Sequence, residues 1–106
     1  MSKTYEESAL SRAELDLIKT PLVLEFGAQW CGHCMAAQPH IESAFSAYPN
    51  LQHVKIEDGP GRPLGRSFKV KLWPTLIFIN NGQEVSRLVR PAAAAEISDA
   101  LMQISG

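Results

Sequence analysis

Residues 22–26, Leu-Val-Leu-Glu-Phe, are the feature that most constrains the fold of this chain. The run is almost continuously apolar, which is typical of a central strand in a sheet that is covered on both faces. Other elements must therefore pack on both sides of the sheet. The chain has 106 residues, of which 45% are hydrophobic, so it can bury one such core. We expect a single domain over residues 1–106.

The rest of the chain alternates between helix and strand signals. Ser11 and Glu14 have the spacing of a capping box, and Asn81-Gly82 is a strong hairpin signal between two strand-like segments. The predicted order is helix 11–19, strand 22–26, helix 31–48 with a kink at Pro39, strand 51–57, short helix 63–68, strands 75–80 and 84–89, and helix 92–104. This order predicts an α/β fold with a central mixed sheet of four to five strands flanked by helices.

The only two cysteines, Cys31 and Cys34, lie where the predicted central strand meets the next helix. A disulfide that closes so small a loop adds little stability, so we expect the pair to serve chemistry. Unpaired backbone N–H groups and the helix dipole favour a thiolate at a helix N-terminus, which makes Cys31 the candidate nucleophile. Cys34 is one helical turn further on. It is the candidate resolving cysteine, which breaks the mixed disulfide between Cys31 and a substrate.

The residues alone leave other roles open for this pair. Haem attachment requires a histidine directly after the second cysteine, where this chain has Met35. A structural zinc site requires further ligands, and His40 and His53 are isolated in the sequence. Two alternatives remain. The cysteines could be core residues with no chemical role, or the protein could use them to carry a soft ion such as Cu(I). We expect no metal and no cofactor apart from a redox-active Cys31–Cys34 disulfide.

Residues 30–34, Trp-Cys-Gly-His-Cys, together with the strand before them, resemble the active-site segment of the thioredoxin superfamily. The resemblance extends from about residue 11 to residue 104. Pro39 stands where the family's helix is kinked, and the segment 73–75, Trp-Pro-Thr, stands where the family has its cis-proline loop. The resemblance implies a thioredoxin fold and a role in cell redox homeostasis through thiol–disulfide exchange on protein or peptide disulfides.

The same resemblance assigns Glu25 to the acidic position beneath the family's dithiol and Lys55 to its partner lysine. Burial predicts a raised pKa for Glu25, which would suit proton exchange with Cys34 through a water molecule. A strand-end carboxylate in a surface salt bridge is the alternative. His33 stands where thioredoxins have proline, and Cys-Gly-His-Cys resembles the active sites of protein disulfide isomerases. Partial positive charge on His33 would stabilise the Cys31 thiolate, so we expect a potential less reducing than that of thioredoxin.

The candidate substrate-binding residues are Trp30, Gly32, Trp73, Pro74 and Arg90. We expect the two tryptophans to form an apolar rim, with two partly buried packing residues as the alternative. A cis bond before Pro74 would place backbone groups where an extended substrate can pair with them. Arg90 stands near a position where the family commonly has glycine, and it adds bulk and charge there.

Two other departures from the family concern the surroundings of the site. Gly27 replaces an aromatic residue, which predicts a thinner floor beside the dithiol. The second departure is a set of cations for which we expect a scattered, solvated arrangement, with a basic face for acidic partners as the alternative. These cations are Arg62, Arg66, Lys69, Lys71, Arg87 and Arg90.

Charge and hydropathy limit the partners. A net charge of -1 argues against a general nucleic-acid binder, and the longest apolar run, residues 76–79, is too short to cross a membrane. The N-terminus shows no apolar signal segment, so we expect a cytoplasmic protein. We also expect a monomer. The expected electron donor is thioredoxin reductase or glutathione, although the departures leave recycling by an ordinary reductase open. The alternatives are a disulfide isomerase, a glutathione-coupled activity, and a redox-silent binding module.

Overall fold

The computed structural model describes residues 4–8 and 10–105, and it folds them around one mixed sheet. The elements in chain order are α1 (Arg12–Asp16), β1 (Leu22–Gly27), α2 (Gly32–Phe45), β2 (Gln52–Glu57), α3 (Pro63–Ser67), β3 (Thr75–Asn80), β4 (Gln83–Val89) and α4 (Ala94–Ser105). The strand order is β2-β1-β3-β4, with β1 parallel to β2 and antiparallel to β3. The predicted mixed sheet is confirmed.

β1 lies inside the sheet, and all six of its residues are buried. Successive side chains of a strand point to opposite faces. Val23 therefore packs with α2 and α4 in one core cluster, whereas Leu22, Leu24 and Phe26 pack with α1 and α3 in the other. Glu25 follows the same alternation as Val23. Its carboxylate consequently lies on the α2 side of the sheet.

The helices occupy the predicted places, but several of their ends differ from the prediction. The capping box of α1 is present, since Ser11 Oγ accepts the Glu14 N–H at 3.1 Å and the Glu14 carboxylate accepts the Ser11 N–H at 2.8 Å. α1 nevertheless ends at Asp16 instead of residue 19, because the Leu17 and Ile18 N–H groups bond to carbonyls only three residues back, which tightens and ends the last turn. α2 contains Pro39 and ends at Phe45 instead of residue 48, ahead of another proline, Pro49.

The remaining bounds differ by one or two residues. β1 continues to Gly27, β2 begins at Gln52, α3 ends at Ser67, β4 begins at Gln83, and α4 spans Ala94–Ser105 instead of 92–104. Ala92 lies outside α4, and the Glu96 carboxylate in the first turn accepts its N–H at 3.1 Å. No helix in the described ranges has the length and apolar character needed to cross a membrane.

The β3–β4 turn is the predicted two-residue hairpin. Asn81 and Gly82 have φ values of 54° and 77°, so both adopt the left-handed conformation that such a turn requires. The turn also packs against the end of α1. A Cβ on Gly82 would lie 2.2 Å from the carbonyl oxygen of Asp16, so this position requires glycine both for its φ and for space.

Candidate active site

The β1–α2 junction places both cysteines at the N-terminus of α2. Cys31 is the N-cap residue, and its Sγ accepts the backbone N–H of Cys34 at 3.2 Å. A sulfur that accepts such a bond at a helix N-terminus is in a position that favours negative charge. Both thiols are free, and Cys31 is the more accessible, at 7% exposed against 1% for Cys34. The geometry therefore fits an attacking Cys31 and a resolving Cys34.

Cys34 requires a proton acceptor before it can attack. Burial, with further contributions from the neighbouring Cys31, raises the pKa of the Cys34 thiol to about 12. The thiol is therefore the stable form at neutral pH, and only the thiolate is an effective nucleophile. A group that takes this proton during attack would remove most of that barrier.

Tyr5 fills the space that Gly27 leaves open beside Cys34. A Cβ on Gly27 would lie 2.7 Å from Cys34 Sγ and 2.7 Å from Tyr5 Cζ, so the ring packs directly on the glycine and next to the thiol. The prediction of a thin floor at this point is wrong. An aromatic ring from the N-terminal segment supplies the bulk that the strand itself lacks. The backbone N–H of Tyr5 is held by Gln29 Oε1 at 2.8 Å.

Glu25 is fully buried beneath this ring and is surrounded by donors. The Tyr5 hydroxyl donates to Oε2, the Gln38 amide donates to the same oxygen at 3.0 Å, and His53 Nε2 lies 2.8 Å from Oε1. Lys55 Nζ lies 3.8 Å from Oε2 and donates to Gln38 Oε1 at 2.6 Å. The predicted pairing of Glu25 with Lys55 is present, and the alternative of a surface salt bridge is wrong.

The donors around Glu25 reverse the predicted direction of its pKa. Burial acts to raise the pKa, but the hydrogen bonds from His53, Tyr5 and Gln38 outweigh burial and hold the pKa below its ordinary value. The prediction of a raised pKa is therefore wrong. Glu25 is ionised at neutral pH, and it is a ready acceptor for a proton that reaches it.

Tyr5 lies between this carboxylate and the resolving thiol. Its hydroxyl donates to Glu25, and it is near enough to Cys34 for each group to affect the pKa of the other. Burial and the adjacent Glu25 charge raise the pKa of Tyr5 far above its ordinary value, so the hydroxyl stays protonated. A protonated hydroxyl can pass one proton on while it receives another.

Three members of this network were not found from the sequence. Tyr5 lies before residue 11, where the resemblance carried by the sequence motifs begins, and His53 has no neighbouring histidine or cysteine that would mark it. His53 also stacks on Phe45, with ring centroids 4.1 Å apart, and its side chain is 20% exposed. Gln38 does carry a signal, because it lies four residues after Cys34 and therefore on the same face of α2.

Two tryptophans form a rim above the dithiol. Trp30 is 74% exposed, and its ring meets the half-buried Trp73 ring edge-on at a centroid distance of 5.4 Å. The alternative that Trp30 is a partly buried packing residue is wrong. The Trp73–Pro74 peptide bond is cis, as the resemblance implies. Arg90 braces this loop, because its backbone N–H donates to the Pro74 carbonyl at 2.9 Å and its Nε donates to the Trp73 carbonyl at 2.8 Å.

The other two motif residues lie at the surface of the site. Gly32 is exposed, and a Cβ there would meet no atom within 4 Å. His33 is exposed and lines a pocket of about 150 Å³ together with His40 and Arg90. Among the described residues no three His, Cys, Asp or Glu side chains are grouped so that they could hold a metal ion.

Comparison with known proteins gives a consistent result. The family model described as Thioredoxin matches residues 4–103. The structure of thioredoxin 2 from Pseudomonas aeruginosa PAO1, in its reduced form, is 51% identical, covers 98% of this chain and 96% of that chain, and superposes with a TM-score of 0.87. The oxidised mitochondrial thioredoxin 3 from Saccharomyces cerevisiae is 26% identical over 84% of this chain and 83% of that chain, with a TM-score of 0.69.

Curated sequences give the same family with shorter matches. Mitochondrial Thioredoxin-3 of Saccharomyces cerevisiae is 31% identical over 64% of this chain and 54% of its own length. A Thioredoxin H-type protein of Fagopyrum esculentum is 28% identical over 64% of this chain and 59% of its own length. The match therefore spans little more than half the length of these curated relatives.

Proposed function

Because this chain belongs to the thioredoxin family, we propose that it is a thiol–disulfide oxidoreductase that acts on protein and peptide disulfides. One observation carries the proposal: Cys31 caps α2 beside Cys34, and the Tyr5 hydroxyl, next to Cys34, donates to the ionised Glu25. This arrangement supplies a nucleophile, a resolving thiol and a proton acceptor in one place.

The first step is attack by the Cys31 thiolate on one sulfur of the substrate disulfide. A bond forms between Cys31 Sγ and that sulfur, and the other substrate sulfur leaves with the electron pair as a thiolate. The exposed Trp30 and the half-buried Trp73 give the substrate an apolar surface on which to rest. Gly32 leaves open space next to the attacking sulfur.

The second step is attack by Cys34 on the sulfur of Cys31. The Cys34–Cys31 bond forms, the Cys31–substrate bond breaks, and the second substrate sulfur leaves as a thiolate. The Cys34 proton passes to the Tyr5 oxygen while Tyr5 passes its own proton to Glu25 Oε2. The Tyr5 hydroxyl thus carries the proton in place of the water molecule that the sequence predicts. Lys55 holds the Glu25 carboxylate in place through Gln38.

The proposed cycle closes when a donor reduces the Cys31–Cys34 disulfide. We assign that role to a thioredoxin reductase or to glutathione, and we place the protein as a monomer in the cytoplasm, where net reduction of substrates is favoured. The position of His33 beside Cys31 supports the second candidate, a disulfide isomerase, which requires a less reducing potential.

Reduction of insulin by dithiothreitol tests the proposal. The wild-type protein should accelerate the reaction, and Cys31→Ser should abolish the acceleration. Cys34→Ser is the matched control, because it keeps the first step and should accumulate a mixed disulfide through Cys31. Full activity in Cys31→Ser would refute the mechanism, and an inactive wild-type protein that still binds clients would favour the redox-silent binding module.

A redox titration against glutathione separates reductase from isomerase. We expect the midpoint to become more reducing in His33→Pro, because the histidine no longer stabilises the thiolate of the reduced form. An unchanged midpoint would remove His33 from the proposed site.

A further inference from the structure

The stretch between Asp58 and Glu84 carries four cations and no acidic residue. Since the net charge of the whole chain is -1, the remaining residues carry an excess of five negative charges. Positive charge that is separated in this way creates a local field in an otherwise acidic molecule. The four cations are Arg62, Arg66, Lys69 and Lys71.

The fold brings all four cations to one pocket of about 340 Å³, so the prediction that they are scattered is wrong for them. Arg62 is partly neutralised, because its guanidinium lies 2.9 Å from Glu57 and 3.1 Å from Glu7. Asp58, the acidic residue of this pocket, accepts the indole N–H of Trp73 at 2.9 Å. The other three cations are exposed and form no salt bridge within the described ranges.

Lys69 lies in the turn that ends α3. Its φ of 58° is left-handed, its N–H donates to the Arg66 carbonyl at 2.9 Å, and the Val70 N–H donates to the Gly65 carbonyl at 3.0 Å. Helices commonly end with a glycine in this conformation. This chain has a long cationic side chain there instead, and that side chain lines the pocket.

Trp73 joins this pocket to the candidate active site. One side of the residue lines the pocket, and its ring contacts Trp30 in the rim above the dithiol. A peptide whose cysteine sits over Cys31 can therefore cross the rim and place neighbouring side chains over the cations.

We propose that this basic pocket binds aspartate or glutamate side chains of the substrate close to its reactive disulfide. The assignment of the ligand as a substrate rests on the proposed function, whereas the binding of an acidic peptide does not require the dithiol. Exposed ion pairs of this kind contribute modestly one by one, and three together give about a tenfold preference for an acidic over a neutral peptide.

The first test is binding without redox chemistry. A cysteine-free hexaglutamate peptide should shift the NMR signal of the Trp73 indole N–H in a saturable way at low salt, and a hexalysine peptide should not. The triple variant Arg66→Glu, Lys69→Glu, Lys71→Glu should lose about tenfold in affinity. Lys19→Glu is the matched control, because this exposed lysine lies near the β3–β4 turn, away from the dithiol. Equal loss in Lys19→Glu would overturn the inference.

The second test compares the kcat/KM for two peptide disulfides that differ only in three glutamates or three glutamines beside the cystine. Wild type should prefer the acidic peptide about tenfold at low salt, and the triple variant should lose this ratio. Should the triple variant fail to fold, two other measurements test the pocket in its place. They are the ratio of the two kcat/KM values in Lys71→Gln and the salt dependence of that ratio in the wild-type protein. Saturable binding without reduction would refute the proposed function and leave the pocket assigned, whereas equal reduction of both peptides would refute the pocket alone.

Discussion

Replacing Tyr5 by phenylalanine removes one hydroxyl and keeps the ring that packs on Gly27. The hydroxyl is one of three groups that bond to the Glu25 carboxylate, and it lies next to Cys34. A hydrogen bond to a charged group contributes about 1.5–3 kcal/mol, and no solvent reaches Glu25 to replace it. We therefore expect the free energy of unfolding of Tyr5→Phe to fall by about 2 kcal/mol at pH 7.

The size of this loss should depend on pH. In the wild-type protein the pKa of Glu25 is lower when folded than when unfolded, so its ionised form stabilises the fold above about pH 4.3. That contribution disappears as the pH falls through the folded pKa. Tyr5→Phe raises the folded pKa of Glu25 by removing one of the bonds that lower it. The stability difference between the two proteins should thus be largest near neutrality and should shrink in acid.

Urea unfolding of the reduced proteins at several pH values measures the stability difference, with Tyr48→Phe as the control because Tyr48 packs at the edge of the core. Reaction with an aromatic disulfide reagent measures the chemistry, since the first leaving thiolate reports attack by Cys31 and the second reports attack by Cys34. We expect Tyr5→Phe to slow only the second phase, by at least about tenfold. An unchanged second phase would refute the relay.

Three other substitutions test the packing and the proton path. Gly27→Ala should lower the free energy of unfolding by about 1–3 kcal/mol in urea, because its methyl group would overlap the thiol and the tyrosine ring beside it. Gly82→Ala should lower Tm more than the control Gly32→Ala. A Cβ on Gly82 would lie 2.2 Å from the Asp16 carbonyl oxygen, whereas a Cβ on Gly32 would face open space. Equal Tm values for the two variants would contradict the turn geometry. Glu25→Gln should slow the second phase, and adding the tyrosine substitution should slow it no further, since both groups act in one path.

The order of the elements could be predicted because their signals are local. The apolar run of β1, the capping box at Ser11 and the turn at Asn81-Gly82 each specify the structure within a few residues. The ends of α1 and α2 were placed too late, at 19 and 48, because periodic apolar residues continue past the last hydrogen-bonded turn. Helix termini depend on which backbone group finds a partner, and sequence periodicity does not show that.

The inner part of the site could not be predicted because it joins distant parts of the chain. The Tyr5–Glu25 contact spans 20 residues and the His53–Glu25 contact spans 28. The burial of Glu25 was visible in the apolar strand, but the direction of its pKa depends on donors that only the fold brings together. Lys55 was found because the family resemblance names its position.

The segment that carries Tyr5 is attached to the edge strand β2 by few backbone bonds. The Glu57 N–H donates to the Glu6 carbonyl at 2.8 Å, and the Glu6 N–H reaches the Lys55 carbonyl at 3.4 Å. A short edge attachment opens at a lower free energy than the sheet that supports it. Detachment of this segment would withdraw the hydroxyl from Glu25. The second chemical step would then depend on a local opening equilibrium, and hydrogen exchange at the Glu57 amide measures that equilibrium.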